Sequence, residues 1–223
     1  MWFAIAFLLI VGGFYQEAGA AGGESKPSSS AAAGPSLEEQ AVAHYNDGLK
    51  HRDKAWEHEE KAAAATKEKD RKKYLDKASK KYAKAIADQL KAVQKKPRLH
   101  QAFSSLGYAY RKMGQYDKAL QAYDTSLKLD PTYTEAVEYR AEAYLGLNRV
   151  AEAQGAYESL FSRDPARASQ LLTAVKAWAA QRAEQPVVEV SAEKLLQVES
   201  WIAAKEKTAE EMGGTGQEEP KEW

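Results

Sequence analysis

Apolar side chains recur three and four positions apart through the middle of the chain. Residues 99–113 show this spacing, and a second run follows over residues 116–129 after an interruption at Gly114. Side chains at that spacing share one face of an α-helix. Asp130-Pro131 ends the second run, because the residue before a proline is driven out of helical conformation. The pattern predicts two helices joined by a short turn.

This two-helix unit returns with a period of about 34 residues, a length typical of one helical-repeat class. Residues 100–167 contain two copies, and the matched pairs are Tyr110 with Tyr144, Ala119 with Ala153, Tyr123 with Tyr157, and Pro131 with Pro165. One period earlier, Ala85 and Pro97 occupy the same register. Self-similarity at a fixed period is typical of repeat architectures. A single hairpin cannot bury its own apolar face, so we expect the copies to stack.

The first copy resembles the tetratricopeptide repeat (TPR) family. The matching positions are Phe103, Leu106, Gly107, Tyr110, Ala119, Tyr123 and Pro131, with Phe103 in the family's Trp position and Tyr123 in its Phe position. The second copy departs from the pattern at Val137, Arg140 and Ala141, which take the Trp, Leu and Gly positions. The resemblance implies an all-α fold, a short α-solenoid of antiparallel helix hairpins that binds other proteins and is not an enzyme. Residues 99–167 would then be two TPR repeats.

A longer helical hairpin is predicted over residues 37–98. The apolar stripe expected on its first helix consists of Val42, Tyr45, Leu49, Trp56 and Ala63, and that on its second of Leu75, Ala78, Tyr82, Ile86 and Val93. Gly48 and Pro97 match the Gly and Pro of the repeat but lie twice as far apart along the chain as those of the good copy. Gln89 stands where the repeats have tyrosine. We therefore expect an elongated, degenerate TPR-like hairpin.

Sequences at the two ends differ in character from the repeats. Residues 2–15 are apolar and are followed by Ala18-Gly19-Ala20, which predicts a signal peptide over residues 1–20. No Lys or Arg precedes the apolar run, so an uncleaved membrane anchor stays open as the alternative. Residues 21–36 are rich in Gly, Ser, Ala and Pro and predict a disordered linker. We expect an exported protein, either periplasmic or secreted.

Beyond the repeats, residues 168–211 show apolar stripes that predict C-terminal capping helices, which a solenoid needs for solubility. Residues 212–223 are predicted to be a disordered tail. Within the predicted last helix, Trp201 is expected to be exposed.

The formal net charge of zero conceals an uneven distribution. Residues 50–98 contain seventeen Lys and Arg against eight Asp and Glu, whereas residues 184–223 contain four against ten. Runs of this kind are usually solvated helix faces, and attraction to each other or to separate partners is the alternative. The chain has no cysteine, which excludes disulfides, thiolate metal sites and cysteine nucleophiles.

Candidate chemistry is sparse. His44, His51 and His58 repeat every seven residues, about 10.5 Å apart on a helix, which is too far for two imidazoles to share one metal ion. No nucleophile, zincin or phosphate-loop motif occurs, and the acid/base run at residues 57–60 lies in an ordinary charged helix. We therefore expect no enzyme, no cofactor and no bound metal.

The TPR resemblance implies a concave groove lined by the first helix of each repeat. By register these residues are Gln101, Ser104, Ser105, Tyr108, Arg111 and Lys112, followed by Glu135, Glu138, Tyr139, Glu142 and Leu145. The first set is basic and the second acidic, so an extended peptide with both charges and an aromatic residue would suit the groove. A segment of the chain itself is the alternative occupant. Neither helix carries an asparagine, which argues against the carboxylate clamp of some family members.

The function predicted from the sequence is a protein–protein interaction adaptor or scaffold of the cell envelope, with a protein or peptide partner. The alternative is a structural protein that forms homo-oligomers through the long hairpin and the last helix. Nucleic acid is not expected as a partner. For the basic segment near Tyr74 and Tyr82, an exported chain would rather meet an anionic lipid or cell-wall polymer. Membrane attachment is expected only if the N-terminal segment stays uncleaved.

Overall fold

The computed structural model describes residues 34–214, and within that range all regular secondary structure is helical. The helices are α1 (Leu37–Ala63), α2 (Glu68–Lys95), α3 (His100–Lys112), α4 (Tyr116–Leu129), α5 (Thr134–Gly146), α6 (Val150–Phe161), α7 (Pro165–Glu184) and α8 (Ala192–Gly214). The all-α prediction is confirmed. The predicted signal peptide, most of the linker and residues 215–223 of the predicted tail lie outside the described residues, whereas residues 212–214 of that tail belong to α8. None of these eight helices is long and apolar enough to cross a bilayer.

The described residues form two compact units that divide after Pro97. The first unit is the antiparallel pair α1 and α2. Ser36 begins α1 with a capping box, in which its hydroxyl accepts from the Glu39 backbone N–H and the Glu39 carboxylate accepts from the Ser36 N–H. Beyond this cap, the packing of the hairpin depends on how closely α1 and α2 approach each other.

Small residues make that approach possible. Ala41, Gly48, Ala55 and Ala62 recur every seven positions along α1, and all four are buried. The buried residues of α2 include Ala78, Ala85 and Ala92, again seven apart. A seven-residue repeat keeps one seam of each helix against the other, as in a coiled coil.

This seam corrects the stripe predicted for α1. Val42 is 42% exposed and Ala63 is also exposed, while the buried seam lies one position earlier in each case. The prediction weighted large apolar side chains, but close helix contact selects small ones. On α2 the buried set of Ala78 and Tyr82 agrees with the prediction, whereas Ile86 and Val93 are only half-buried.

The second unit contains the two predicted repeat hairpins, α3–α4 and α5–α6. Gly107 of α3 faces Tyr123 of α4 so closely that an added Cβ would lie 2.7 Å from the tyrosine Cε1. Each hairpin turns through one residue of positive φ, Gly114 at 71° and Asn148 at 59°, and these two residues occupy the same position in the repeat. Left-handed backbone favours glycine, and asparagine tolerates it better than most residues.

The hairpins of this unit stack through their first helices. Contacts join α3 to α5 and α5 to α7, whereas no Cα atom of α4 lies within 8 Å of one in α6 among the described residues. The first helices therefore form the tighter, inner layer, and the second helices spread apart on the outside. Pro131 and Pro165 lie at successive corners of this stack, after α4 and at the start of α7.

Helices α7 and α8 follow the second repeat, and α7 packs against both α5 and α6. Leu171, Val175 and Trp178 of α7 join the core of the second repeat. Trp201 of α8 is half-buried and packs edge-on against Tyr157, with ring centroids 5.1 Å apart. The expectation of an exposed Trp201 is corrected, because the aromatic face of α6 holds this ring within the chain.

Candidate partner-binding surface

The eleven predicted groove residues all lie on α3 and α5, the first helices of the two repeats. Gln101, Arg111, Lys112, Glu135, Tyr139 and Glu142 are partly exposed, and Ser104, Ser105, Tyr108, Glu138 and Leu145 are buried. Ser104 is fully enclosed and Leu145 belongs to the hydrophobic core, so these two support the surface from beneath. The others surround the line along which α3 meets α5.

An aromatic and arginine cluster marks this line. The rings of Tyr108 and Tyr139 meet edge to face with centroids 5.1 Å apart. The guanidinium carbon of Arg111 lies 5.0 Å from the Tyr108 centroid and 5.5 Å from that of Tyr139, which is cation–π range. Arg111 also donates to the carboxylate of Glu142 across the helix boundary. The cluster thereby links one repeat to the next.

A second ionic cluster joins α5 to α7. Arg167 donates to Glu138 and to Glu135, the latter at 3.3 Å. With its amide nitrogen turned toward Glu138, Gln170 donates to both carboxylate oxygens at 3.2 Å. Burial of Glu138, together with the nearby Glu142 carboxylate, raises its pKa to about 7 although Arg167 opposes the shift.

These ion pairs revise the prediction of a basic patch on α3 and an acidic patch on α5. The difference in sign is present, but Arg111 is paired with Glu142, and the other two glutamates are paired with Arg167. Alternating charge therefore runs across α3, α5 and α7 and is largely compensated within the chain. A ligand at this surface meets a pre-organised network of donors and acceptors.

Sequence reasoning missed Arg167 and Gln170 because it assigned α7 only a capping role. A signal for them was present, since Pro165 repeats Pro131 one period later. When the period is extended beyond Pro165, α7 takes the place of the first helix of a third repeat. The inner surface then consists of three helices.

A cleft of about 450 Å³ lies on the outer side, lined by residues of α4, α5 and α6. Its wall includes Arg140, which takes the family's Leu position and pairs with Asp124 at 2.7 Å. Gly155 borders the cleft with open space where a Cβ would be. The cleft thus coincides with departures of the second repeat from the family pattern.

The described helices bring together no group of three or more His, Asp or Glu side chains suited to a metal ion. His51 of α1 instead lies 3.6 Å from Asp88 of α2, and His58 stacks on Tyr74. These histidines therefore take part in packing within the hairpin.

The fold and this surface define a helical-repeat protein in which stacked hairpins present their first helices on one face. The model of the tetratricopeptide repeat family matches residues 100–133, which span α3 and α4. Over these residues the chain is similar to the tetratricopeptide repeat family, in agreement with the resemblance of the first repeat.

A comparison with curated proteins found no match. Among solved structures, the chain is similar to the first TPR of Spaghetti (RPAP3), a domain solved with the HSP90 peptide SRMEEVD. The similarity has a TM-score of 0.42 and 21% identity, and it covers 60% of this chain and 95% of that one. A likeness at this level has no bearing on what this chain binds.

Proposed function

We propose that this chain is a non-catalytic adaptor that binds a segment of a partner protein along the inner surface of α3, α5 and α7. The observation that carries the proposal is the cluster of Tyr108, Arg111 and Tyr139 at the junction of two repeats. Aromatic residues and arginine supply most binding energy at protein interfaces. Here Arg111 and Tyr139 keep part of their surface exposed at the centre of the inner layer.

The geometry also suggests how the partner is oriented. Because α3 and α5 run in the same direction, Lys112 at the end of α3 and Glu135 at the start of α5 lie at opposite ends of the surface. An extended segment with an acidic and a basic end matches these two charges in only one direction. Charges at the rim of an interface set register and association rate more than affinity.

The ion pairs of Arg111 and Arg167 hold the surface in shape before a partner arrives. Both side chains bridge neighbouring first helices, so the spacing between those helices is set by the chain itself. A surface that is rigid beforehand loses less conformational entropy on binding.

Cell-envelope location is part of this proposal and rests on the apolar run at residues 2–15 and the following Ala18-Gly19-Ala20. Fractionation of the native host, with the chain detected through a C-terminal tag, tests it. Recovery in the cytosolic fraction alone would contradict the envelope assignment while leaving the binding surface untouched.

The binding surface is tested by capture of partners from host extract with the full chain. Lys112→Glu combined with Glu135→Lys reverses both end charges without changing the net charge, and it also removes the contact between Glu135 and Arg167. Lys128→Glu combined with Glu199→Lys makes the same exchange on α4 and α8, at exposed positions that form no ion pair in the described range. We expect the first variant to lose partners that wild type and the second variant retain.

Equal recovery by all three proteins would show that partners bind elsewhere. Recovery of the chain itself as the main captured protein would favour the self-assembling alternative instead. Circular dichroism of each variant confirms that the helices are intact before the comparison is made.

A further inference from the structure

One face of α2 carries a line of exposed lysines, Lys73, Lys77, Lys80, Lys84 and Lys95, which we name the lysine stripe. At about 100° per residue, these five positions fall within an arc of about 60° around the helix. No acidic residue of α2 falls inside that arc, and the five ammonium groups form no ion pair with any described residue. From its first to its last lysine the stripe is about 33 Å long.

The positive face extends onto α1. The positive charges of Lys54 and Lys61 on α1, together with those of lysines on α2, lower the pKa of His51 and His58. Burial is the main reason that the pKa of both histidines lies below its ordinary value, and these lysines lower it further. Asp88 opposes the effect at His51, and Glu57 opposes it at His58.

The composition of the stripe indicates a partner recognised by charge density. Lysine is a compact, hydrated point charge without the planar fork with which arginine reads bases and single phosphates. Tyr74, the nearest ring, is occupied by His58 and Lys77, so no aromatic side chain is offered for base stacking. The stripe therefore lacks the features that read nucleic-acid sequence.

The shape of the stripe favours a flat partner. Five charges on one side of a straight helix can all contact a flat surface at the same time. The phosphates of a nucleic-acid duplex follow a helical path, so a straight line of lysines contacts only some of them. Leu90, which is 38% exposed, lies about 110° away from the centre of the arc, so no large apolar side chain points with the lysines. The contact expected is electrostatic, at the surface of the partner and without insertion.

We propose that the lysine stripe of α2 docks the hairpin onto an anionic lipid bilayer. Each lysine held near such a surface adds to the attraction, and the effect decays within a Debye length. The proposal is independent of the partner-binding surface, because every residue it uses belongs to the other compact unit.

The test is binding of the full chain to vesicles made of two parts phosphatidylcholine and one part phosphatidylglycerol, with pure phosphatidylcholine vesicles as baseline. The stripe variant replaces Lys73, Lys77, Lys80 and Lys84 by Gln, which has a similar helix propensity. The control variant makes the same change at Lys67, Lys118, Lys128 and Lys207, four exposed lysines outside the stripe. Both variants have the same net charge, and the baseline measures any contribution of residues 2–15.

We expect the stripe variant to bind anionic vesicles about tenfold or more weakly than wild type, and the control to stay within about threefold. Raising the salt from about 0.05 to about 0.5 M should remove most of the wild-type preference for anionic vesicles. Equal losses in the two variants, or wild-type binding that ignores phosphatidylglycerol, would overturn the proposal. Tighter binding to random duplex DNA than to vesicles, lost in the stripe variant, would assign the stripe to nucleic acid instead.

Discussion

Gln89 occupies the place beside Gly48 that Tyr123 occupies beside Gly107. A Cβ added at Gly48 would lie 2.3 Å from Nε2 of Gln89, and one added at Gly107 would lie 2.7 Å from Cε1 of Tyr123. In both hairpins, a glycine on the first helix leaves space that a large side chain of the second helix fills. Gln89 also donates from Nε2 to the backbone carbonyl of Tyr45 at 3.1 Å, whereas its buried Oε1 accepts no hydrogen bond from the described residues.

The two glycines should respond differently to alanine. Gly107→Ala drives a methyl group into the ring of Tyr123, which is fully buried and cannot move aside, so we expect a loss of about 2–3 kcal/mol in the free energy of unfolding. Gly48→Ala meets the flexible end of Gln89, and the gain in helix propensity of about 1 kcal/mol offsets much of the cost.

Urea unfolding followed by circular dichroism measures both effects. Gly155→Ala is the matched control, because its Cβ meets open space and should give the propensity gain alone. A Gly48→Ala variant that loses more stability than Gly107→Ala would contradict this account of the two packing sites.

Asn148 combines a backbone requirement with a side-chain role. Its φ is 59°, and its Oδ1 accepts from Trp178 Nε1 at 3.3 Å and from Arg182 Nε at 2.9 Å. Asn148→Gly keeps the turn but removes these acceptors, so we expect a loss of about 1 kcal/mol. Asn148→Ala adds the strain of positive φ and should lose about 2 kcal/mol.

Thermal unfolding of the two Asn148 variants decides between these contributions. Gly114→Ala tests the equivalent turn of the first repeat, where φ is 71° and no side chain is involved. Equal stability of Asn148→Gly and Asn148→Ala would show that the left-handed conformation contributes nothing.

Glu138 should make the stability of the repeats depend on pH. Its pKa is raised from 4.5 to about 7 in the folded chain, so between these values the folded state binds more protons than the unfolded state. The free energy of unfolding therefore falls as the pH rises through this window. From about pH 5.5 to about pH 8, wild type should lose about 1–2 kcal/mol more than Glu138→Gln, which does not titrate.

Urea titrations at the two pH values provide the measurement, with Glu199→Gln as the control at an exposed position. If Glu138→Gln and wild type show the same dependence on pH, the carboxylate is ionised throughout and Arg167 outweighs its burial.

His51 and His58 should make the stability of the long hairpin depend on pH in the opposite direction from Glu138. Burial, with the surrounding lysines, lowers the pKa of His51 and His58, so their unfolded forms bind protons at a higher pH than the folded ones. The free energy of unfolding is therefore unaffected by these histidines above about pH 6.5. It falls as the pH drops below that value, because the unfolded state then binds more protons. Hydrogen exchange of hairpin peptides should accelerate below that pH, beyond the intrinsic change in exchange chemistry.

Replacing His51 and His58 by Gln should remove this acceleration, while His100→Gln in the other unit should not. Hairpin peptides that open equally on both sides of that pH in wild type would contradict the expectation.

The repeat period was sufficient to predict the repeat hairpins, because the positions that recur are those where helix contact restricts side-chain size. Ala119 and Ala153 are both fully buried, and Tyr123 and Tyr157 fill the adjacent space. Gly48 was likewise matched to the family's Gly position from sequence, although it lies twice as far from Pro97 as Gly107 lies from Pro131.

The pairing of charges was beyond such reasoning. Arg111 and Glu142 are 31 residues apart, and Arg167 and Glu138 are 29 apart, so neither pair follows the period. Their contacts depend on how the first helices rotate against one another, which the apolar pattern does not specify. The alanine seam of α1 was visible but overlooked, because hydrophobicity scales give small residues little weight.

That seam has a consequence for natural variation. Two helices brought so near to one another leave room for nothing larger than a methyl group at Ala41, Ala55 and Ala62, and at Gly48 a methyl group enters only if Gln89 shifts. Orthologous chains should thus hold these four sites to alanine or glycine, while the solvent side of the same helix diverges freely.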